Sequence, residues 1–266
     1  MGAVVAGSFV DKVVVVTGAS RGIGEGILRL LVKEGATVIG AFNTGQEEAD
    51  KLQEELGQRV RMLHVDLANT SSLRSFAAKV KETGRIDGLV NNAGAIDFQM
   101  WKDFSVEEWR GTFAVNVDAA VALTHALYEN MNTGGSVVNI ASTDGFTGSF
   151  GSIAYSASKA ALVNVTKSLG NLLAPAGIRV NAVCPGWIDT GMSTDASYAA
   201  AGNTPLGRNG TPEDVARTVA FFLGPDSGYV TGSALVVDGG YTNVDVIMRQ
   251  EYVDLENESS APGAPE

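Results

Sequence analysis

The sequence predicts an α/β fold: a single, doubly wound domain on a mostly seven-stranded parallel sheet with helices on both faces. Short β-branched runs alternate with longer stretches of helical period, which marks repeated βα units. The short runs are almost continuously apolar, as strands are when helices cover both of their sides. A length of 266 residues suits one domain, since folds of this class reach about 250 residues before splitting. No internal repeat or linker divides the chain.

The expected strands are Val13–Thr17, Thr37–Ala41, Val60–Val65, Gly88–Asn91, Ser136–Ala141, Arg179–Cys184 and Ala234–Val237. The first runs into a glycine-rich segment and then a helix with Ile27, Leu28, Leu30 and Leu31 on its apolar side. Gly35, Gly57, Gly84 and Gly177 stand where helices should stop. Ser105 to Glu108 has the spacing of a capping box. Ala154–Ala174 is a long helix by its periodicity. Thr211-Pro212-Glu213-Asp214 places proline first in a further helix, with acids at the positive end of its dipole. Residues 1–255 form the domain. Within it, 191–210 reads as a mobile flap and 243–255 as a C-terminal extension, while 256–266 has a disordered composition. Val246, Ile247, Met248, Tyr252 and Leu255 are too apolar for a tail. They are expected to pack on their own subunit or reach a neighbour's pocket.

Composition excludes several function classes. A net charge of −11 opposes nucleic acid and anionic membrane, both of which need a basic face. No apolar run approaches the roughly 18 residues of a membrane span. Met1 to Phe9 lacks the charged start of a signal peptide. The one cysteine, Cys184, cannot form an internal disulfide and reads as a small buried thiol, so a cytoplasmic location is expected. His64 and His125 have no metal-ligand spacing, and no metal is expected.

The strongest motif opens the chain. Val13–Val16 leads into Thr17-Gly18-Ala19-Ser20-Arg21-Gly22-Ile23-Gly24 and then a helix. Strand, glycine turn and helix N-terminus together make an anion site, where backbone N–H groups meet a pyrophosphate unobstructed by Cβ atoms. This run resembles the Thr-Gly-x-x-x-Gly-x-Gly signature of the short-chain dehydrogenase/reductase family. Asn91-Asn92-Ala93-Gly94 is similar to its motif after the fourth strand, and Pro185 to Thr190 to its turn after the sixth. The likeness is colinear from about residue 11 to 241.

That resemblance implies a Rossmann-like fold and a nicotinamide dinucleotide. It implies cofactor contacts from Gly18, Ser20, Arg21, Gly22, Ile23 and Gly24, with Asp66 and Leu67 at the adenine. Asn91, Asn92, Ala93 and Gly94 would line the ribose side. Tyr155, Lys159, Pro185, Gly186, Ile188 and Thr190 would meet the nicotinamide half. Asp66 could instead cap the helix beginning near Thr70. Readers of NAD place an acid about 20 residues past the glycines, for the ribose 2′-hydroxyl. Phe42 occupies that position here, and Arg21, Asn43 and Thr44 could take a 2′-phosphate. NADP(H) is therefore favoured over NAD(H).

Tyr155 and Lys159 are four residues apart, on one helix face. Carbonyl reduction needs a proton donor beside the substrate oxygen. An ammonium nearby would lower the phenol's ordinary value of about 10. Ser142, at the end of the fifth strand, could hydrogen-bond the same oxygen. Asn116 matches the family's helix asparagine, which by resemblance holds a water linked to the lysine. Read singly, the pair could be a surface contact, Ser142 a cap and Asn116 a helix-bending residue.

Ile96, Phe98, Met100, Trp101, Phe146, Phe150, Trp187, Met192 and Tyr198 are candidate pocket residues beside the 191–210 flap. They suit a small, largely apolar ketone or secondary alcohol, although half could simply pack the flap down. The family includes reductases of carrier-linked 3-oxoacyl substrates. Tyr128–Gly134 and Leu169–Pro175 lack the basic residues such carriers need, so a free substrate is expected. By resemblance the chain is a homotetramer or homodimer. A non-catalytic dinucleotide sensor is opposed by the intact Ser142, Tyr155 and Lys159. A halohydrin dehalogenase is opposed by Lys159 and the three glycines.

Overall fold

In the computed structural model, residues 8–191 and 195–259 are described. The chain alternates as its apolar pattern requires. Strand β1 (Val13–Thr17), helix α1 (Gly22–Lys33), β2 (Thr37–Phe42), α2 (Gln46–Leu56) and β3 (Val60–His64) come first. Then follow α3 (Thr70–Lys81), β4 (Ile86–Asn91), α4 (Val106–Phe113), α5 (Ala119–Leu127) and β5 (Met131–Ile140). The chain continues with α6 (Ile153–Leu173), β6 (Arg179–Pro185), α7 (Asp195–Asn203), α8 (Pro212–Leu223), β7 (Ala234–Val237) and α9 (Val246–Ser259).

The strands form one seven-stranded sheet in the order β3-β2-β1-β4-β5-β6-β7. Every pairing is parallel. Alternation along β1 explains the two apolar layers. Val14 and Val16 face one core with Ile27 and Leu28 of α1 and Val219 of α8. Val15 faces the other, with Phe76 of α3 and Leu123 and Leu127 of α5. Each fully buried valine of this kind contributes about 1.5–3 kcal/mol.

Strand order reverses beside β1: β2 lies on one side and β4 on the other. The crevice beyond the carboxyl ends of β1 and β4 is the switch point at which such sheets take ligands.

Several details differ from expectation. β5 starts at Met131, five residues before the expected Ser136. Gly134 and Gly135 hide that extension, because glycine carries no strand signal. Thr211 and Asp214 form a complete capping box with Pro212 at the helix start. At Ser105 the box is half made. Its hydroxyl accepts from the Glu108 N–H, while its own N–H is met by Gln99 rather than Glu108. Residues 191–210 contain α7, and 192–194, with Met192, lie outside the described residues. α9 runs to Ser259, four residues into the stretch expected to lack structure, and 260–266 lie outside the described residues. Its apolar side chains Ile247, Met248, Tyr252 and Leu255 are exposed, which removes the first of the two expected outcomes, packing on their own subunit. Val246 alone of that group lines a pocket of the domain.

Candidate active site

The glycine turn closes on itself. Gly18 takes a φ of 63°, and a Cβ on Gly24 would overlap the Gly18 carbonyl and the Asn92 amide. Asn92 Nδ2 donates to the carbonyls of Thr17 (2.9 Å) and Gly18 (3.1 Å). The Thr17 hydroxyl accepts from the N–H groups of Asn92 (2.9 Å) and Ala93 (3.0 Å). The turns after β1 and β4 are thus stitched together across the switch point. Arg21 starts α1 and gives it no side-chain cap, which leaves the first-turn N–H groups facing the cleft.

That cleft has a volume of about 360 Å³. It is lined by Gly18, Ser20, Arg21, Ile23, Gly24, Asn43, Thr44, Asp66, Leu67, Asn92, Ala93, Gly94 and Thr190, all expected from the sequence. Ala41, Val65, Ala95 and Val115 also line it. They escaped notice because small apolar residues carry no chemical signal. Phe42, 4% exposed, ends β2 edge-on to His64 with ring centres 5.7 Å apart. No carboxylate stands at that strand end. Asp66 does not cap α3: Asn69 does, accepting from Ser71 and Ser72. Asn91 turns away from the cleft, donating to Asn139 (2.8 Å) and Thr124 (3.2 Å) in a buried polar chain. The bare glycine cradle, the uncapped α1 and the open Arg21 fit the pyrophosphate and phosphate groups of a dinucleotide.

Ile23, Asn92, Gly94, Ala95 and Thr190 also border a second, larger cavity of about 940 Å³, so the two spaces share a wall. Ser142, Tyr155, Lys159, Pro185, Gly186 and Ile188 line this larger space. The i, i+4 spacing on α6 sets Tyr155 and Lys159 side by side, with Lys159 Nζ 5.4 Å from the phenol ring centre. Lys159 is 3% exposed and donates to the Ile140 carbonyl at 2.8 Å. Burial pushes its ammonium down to about 8. The same burial pushes the neighbouring Cys184 thiol up to about 11, which leaves it protonated and inert.

Tyr155 departs from expectation. Burial raises its hydroxyl above the ordinary range, a hydrogen bond with Ser142 opposes this, and the Asp144 charge adds to the rise. The lysine does not offset this rise. Desolvation wins, and Tyr155 holds its proton at neutral pH.

Asn116 lies in a π-helical turn, Ala114–Asp118, between α4 and α5. Such bulges concentrate at functional sites because they re-aim one side chain. Here Oδ1 accepts from the Ala95 N–H at 2.7 Å. Nδ2 donates to the Ala95 carbonyl and to Ser158 Oγ, both at 2.9 Å. Asn116 Oδ1 and Lys159 Nζ each lie 3.5 Å from the point where a Gly94 Cβ would sit. The absence of that side chain lets them approach one another.

Of the expected pocket residues, Ile96, Phe98, Phe150 and Trp187 line the larger cavity. Met100 and Trp101 line a separate small cleft with Trp109. Phe146 and Tyr198 are exposed and border neither space. Sequence reasoning missed Asp144, Thr147, Ser149, Ser152, Asn203, Tyr241 and Thr242, which make the wall more polar than expected. Among the described residues no helix is long and apolar enough to cross a membrane, and no side-chain cluster could hold a metal.

A glycine-cradled cleft opening beside a half-buried tyrosine and a buried lysine defines an NAD(P)-dependent oxidoreductase. A family model described as enoyl-(acyl carrier protein) reductase matches residues 18–242. The chain is 36% identical over 236 residues to the 3-oxoacyl-[acyl-carrier-protein] reductase of Vibrio harveyi, covering 86% of this chain and 96% of that one. It is 38% identical over 244 residues to the cyclopentanol dehydrogenase of Comamonas sp. strain NCIMB 9872, covering 87% and 97%. A blue fluorescent protein from a metagenomic library, solved in complex with NADPH, superposes with a TM-score of 0.83 at 34% identity, covering 87% and 98%. The chain belongs to the short-chain dehydrogenase/reductase family, whose members act on small molecules.

Proposed function

We propose that the protein interconverts a ketone and a secondary alcohol on a small, largely apolar substrate, with NADP(H) as the favoured coenzyme. One observation carries this reading: Ser142, Tyr155 and Lys159 stand on the larger cavity where it adjoins the dinucleotide cleft. A reduced nicotinamide held there would supply the hydride. Ser142 and Tyr155 hydrogen-bond the carbonyl oxygen and stabilise the negative charge that develops on it. Tyr155 Oη gives that oxygen its proton, so one hydride and one proton convert ketone to alcohol. Oxidation of the alcohol returns both. Lys159, fixed by the Ile140 carbonyl, places its charge beneath the phenol and steadies the phenolate after transfer. Asn116 holds the loop at Ala95 against α6 through Ser158, keeping the path to Lys159 open to a water.

The coenzyme preference rests on Phe42 and Arg21. An acid at the end of β2 would repel a 2′-phosphate, and none is there; Arg21, Asn43 and Thr44 edge the cleft instead. The NADPH complex of a structural neighbour supports the same direction. A carrier-linked acyl substrate, as the name of the Vibrio harveyi relative describes, is disfavoured by the net charge of −11, since such carriers are acidic. Assembly as a homotetramer or homodimer and a cytoplasmic location complete the reading.

NADPH oxidation followed across a panel of cyclic and aryl ketones tests the proposal, with NADH and a carrier-linked 3-oxoacyl ester as further arms. Turnover of free ketones, faster with NADPH, is expected. Dinucleotide binding without turnover of any carbonyl would leave a sensor, and strict dependence on the carrier would remove the free-ketone reading.

A further inference from the structure

One carboxylate in the larger cavity is left without a partner. Asp144 follows Ser142 in the single helical turn Thr143–Gly145. Turn-borne aspartates ordinarily cap their own turn, but here Ser142 performs that task, its Oγ accepting the Asp144 N–H at 3.1 Å. The Asp144 carboxylate takes no hydrogen bond or ion pair from any described residue, and burial alone shifts it, upward. Two partly buried aspartates outside the cavity are satisfied. Asp87 accepts from Lys12, Val13 and Asn132. Asp238 accepts from Gly240 and Thr242.

The turn is also rigidly seated. A Cβ on Gly145 would press to 3.0 Å on the backbone of Lys159 and Ala160. Glycine there lets the turn lie flush on α6, with Asp144 on the cavity wall near enough for Tyr155 to feel its charge. Among the described residues, the other charged side chain on that wall is Lys159, which is held by the Ile140 carbonyl. The Asp144 carboxylate therefore presents acceptor oxygens to the cavity, where a substrate donor can replace water.

We propose that Asp144 is a specificity determinant: it accepts a hydrogen bond from a donor group that the substrate carries close to its reacting carbon. Resting on the ketone reading above, this narrows the substrates to hydroxy- or amino-substituted ketones and the matching diols or amino alcohols. It also excludes keto acids, whose carboxylate would meet Asp144 and find no free cation.

Four ketones of nearly equal size test it with the full chain and NADPH: butanone, 1-hydroxy-2-propanone, protonated 1-amino-2-propanone and pyruvate. A hydroxyl next to a carbonyl also activates it, so the diagnostic is how the kcat/KM ratio to butanone changes on substitution. Asp144→Ala is expected to lower that ratio at least about tenfold for both donor-bearing ketones, mainly through KM. Asp144→Asn, which keeps an acceptor oxygen but no charge, should retain part of the hydroxyketone ratio and lose the aminoketone one. NADPH affinity of each variant reports that the fold is intact. Ratios unchanged in Asp144→Ala, or pyruvate as the best of the four, overturn the assignment while the ketone reading stands. No turnover of any ketone in a wider panel removes that reading, and this one with it.

Discussion

Lys159 lies beneath the ring of Tyr155, Nζ 5.4 Å from its centre, yet donates its hydrogen bond to the carbonyl of Ile140 at 2.8 Å. The ammonium is therefore held in place before any dinucleotide arrives, at an energetic cost. Its ordinary value near 10.5 falls to about 8 on folding. Between those values the unfolded chain binds more protons than the folded one, so stability rises with pH across that window. Below about pH 8 the buried charge costs about 3 kcal/mol.

Replacing it should expose that cost. Lys159→Met removes the charge but leaves the Ile140 carbonyl unmet, a loss of about 1–3 kcal/mol. Urea unfolding of the dinucleotide-free protein should show the variant about 1 kcal/mol more stable than wild type at pH 7 and less stable at pH 10. Ketone reduction should fall by about a hundredfold or more. A variant less stable at both pH values would show that the ammonium is not strained.

Asn116 gathers three hydrogen bonds in one bulge. Asn116→Ala leaves both backbone groups of Ala95 without partners and should cost about 2–4 kcal/mol of stability. If Asn116 also keeps the water path to Lys159 open, kcat falls more than KM rises. An equal loss in both would make its role purely structural.

The Arg21 guanidinium has no partner among the described residues and edges the cleft. Arg21→Ser should weaken NADP(H) about tenfold and NAD(H) less than about threefold, read by calorimetry. Equal losses would place the guanidinium on the pyrophosphate instead.

How much was legible in the sequence varied with the kind of signal. All seven strands were, because nearly continuous apolar, β-branched runs report burial on both sides. Gly18, Gly22 and Gly24 were, since a tight turn restricts residue type more than any surface does. Three things were hidden. Asn91 and Asn92 are neighbours in one motif, yet opposite strand faces send one into the buried polar chain and the other to the glycine turn. The upward shift of Tyr155 was equally hidden, because spacing reveals that a lysine is near but not how much water burial removes. Asp144 carried no motif. Its interest lies in partners it lacks, which only the fold displays.

Tyr155→Phe tests the central claim most directly, because it removes one oxygen and leaves the cleft and its glycines untouched. NADPH should bind within about threefold of wild type, while kcat/KM for ketone reduction falls by about 10²–10⁴. A variant that keeps more than about a tenth of wild-type turnover would show that the proton comes from elsewhere.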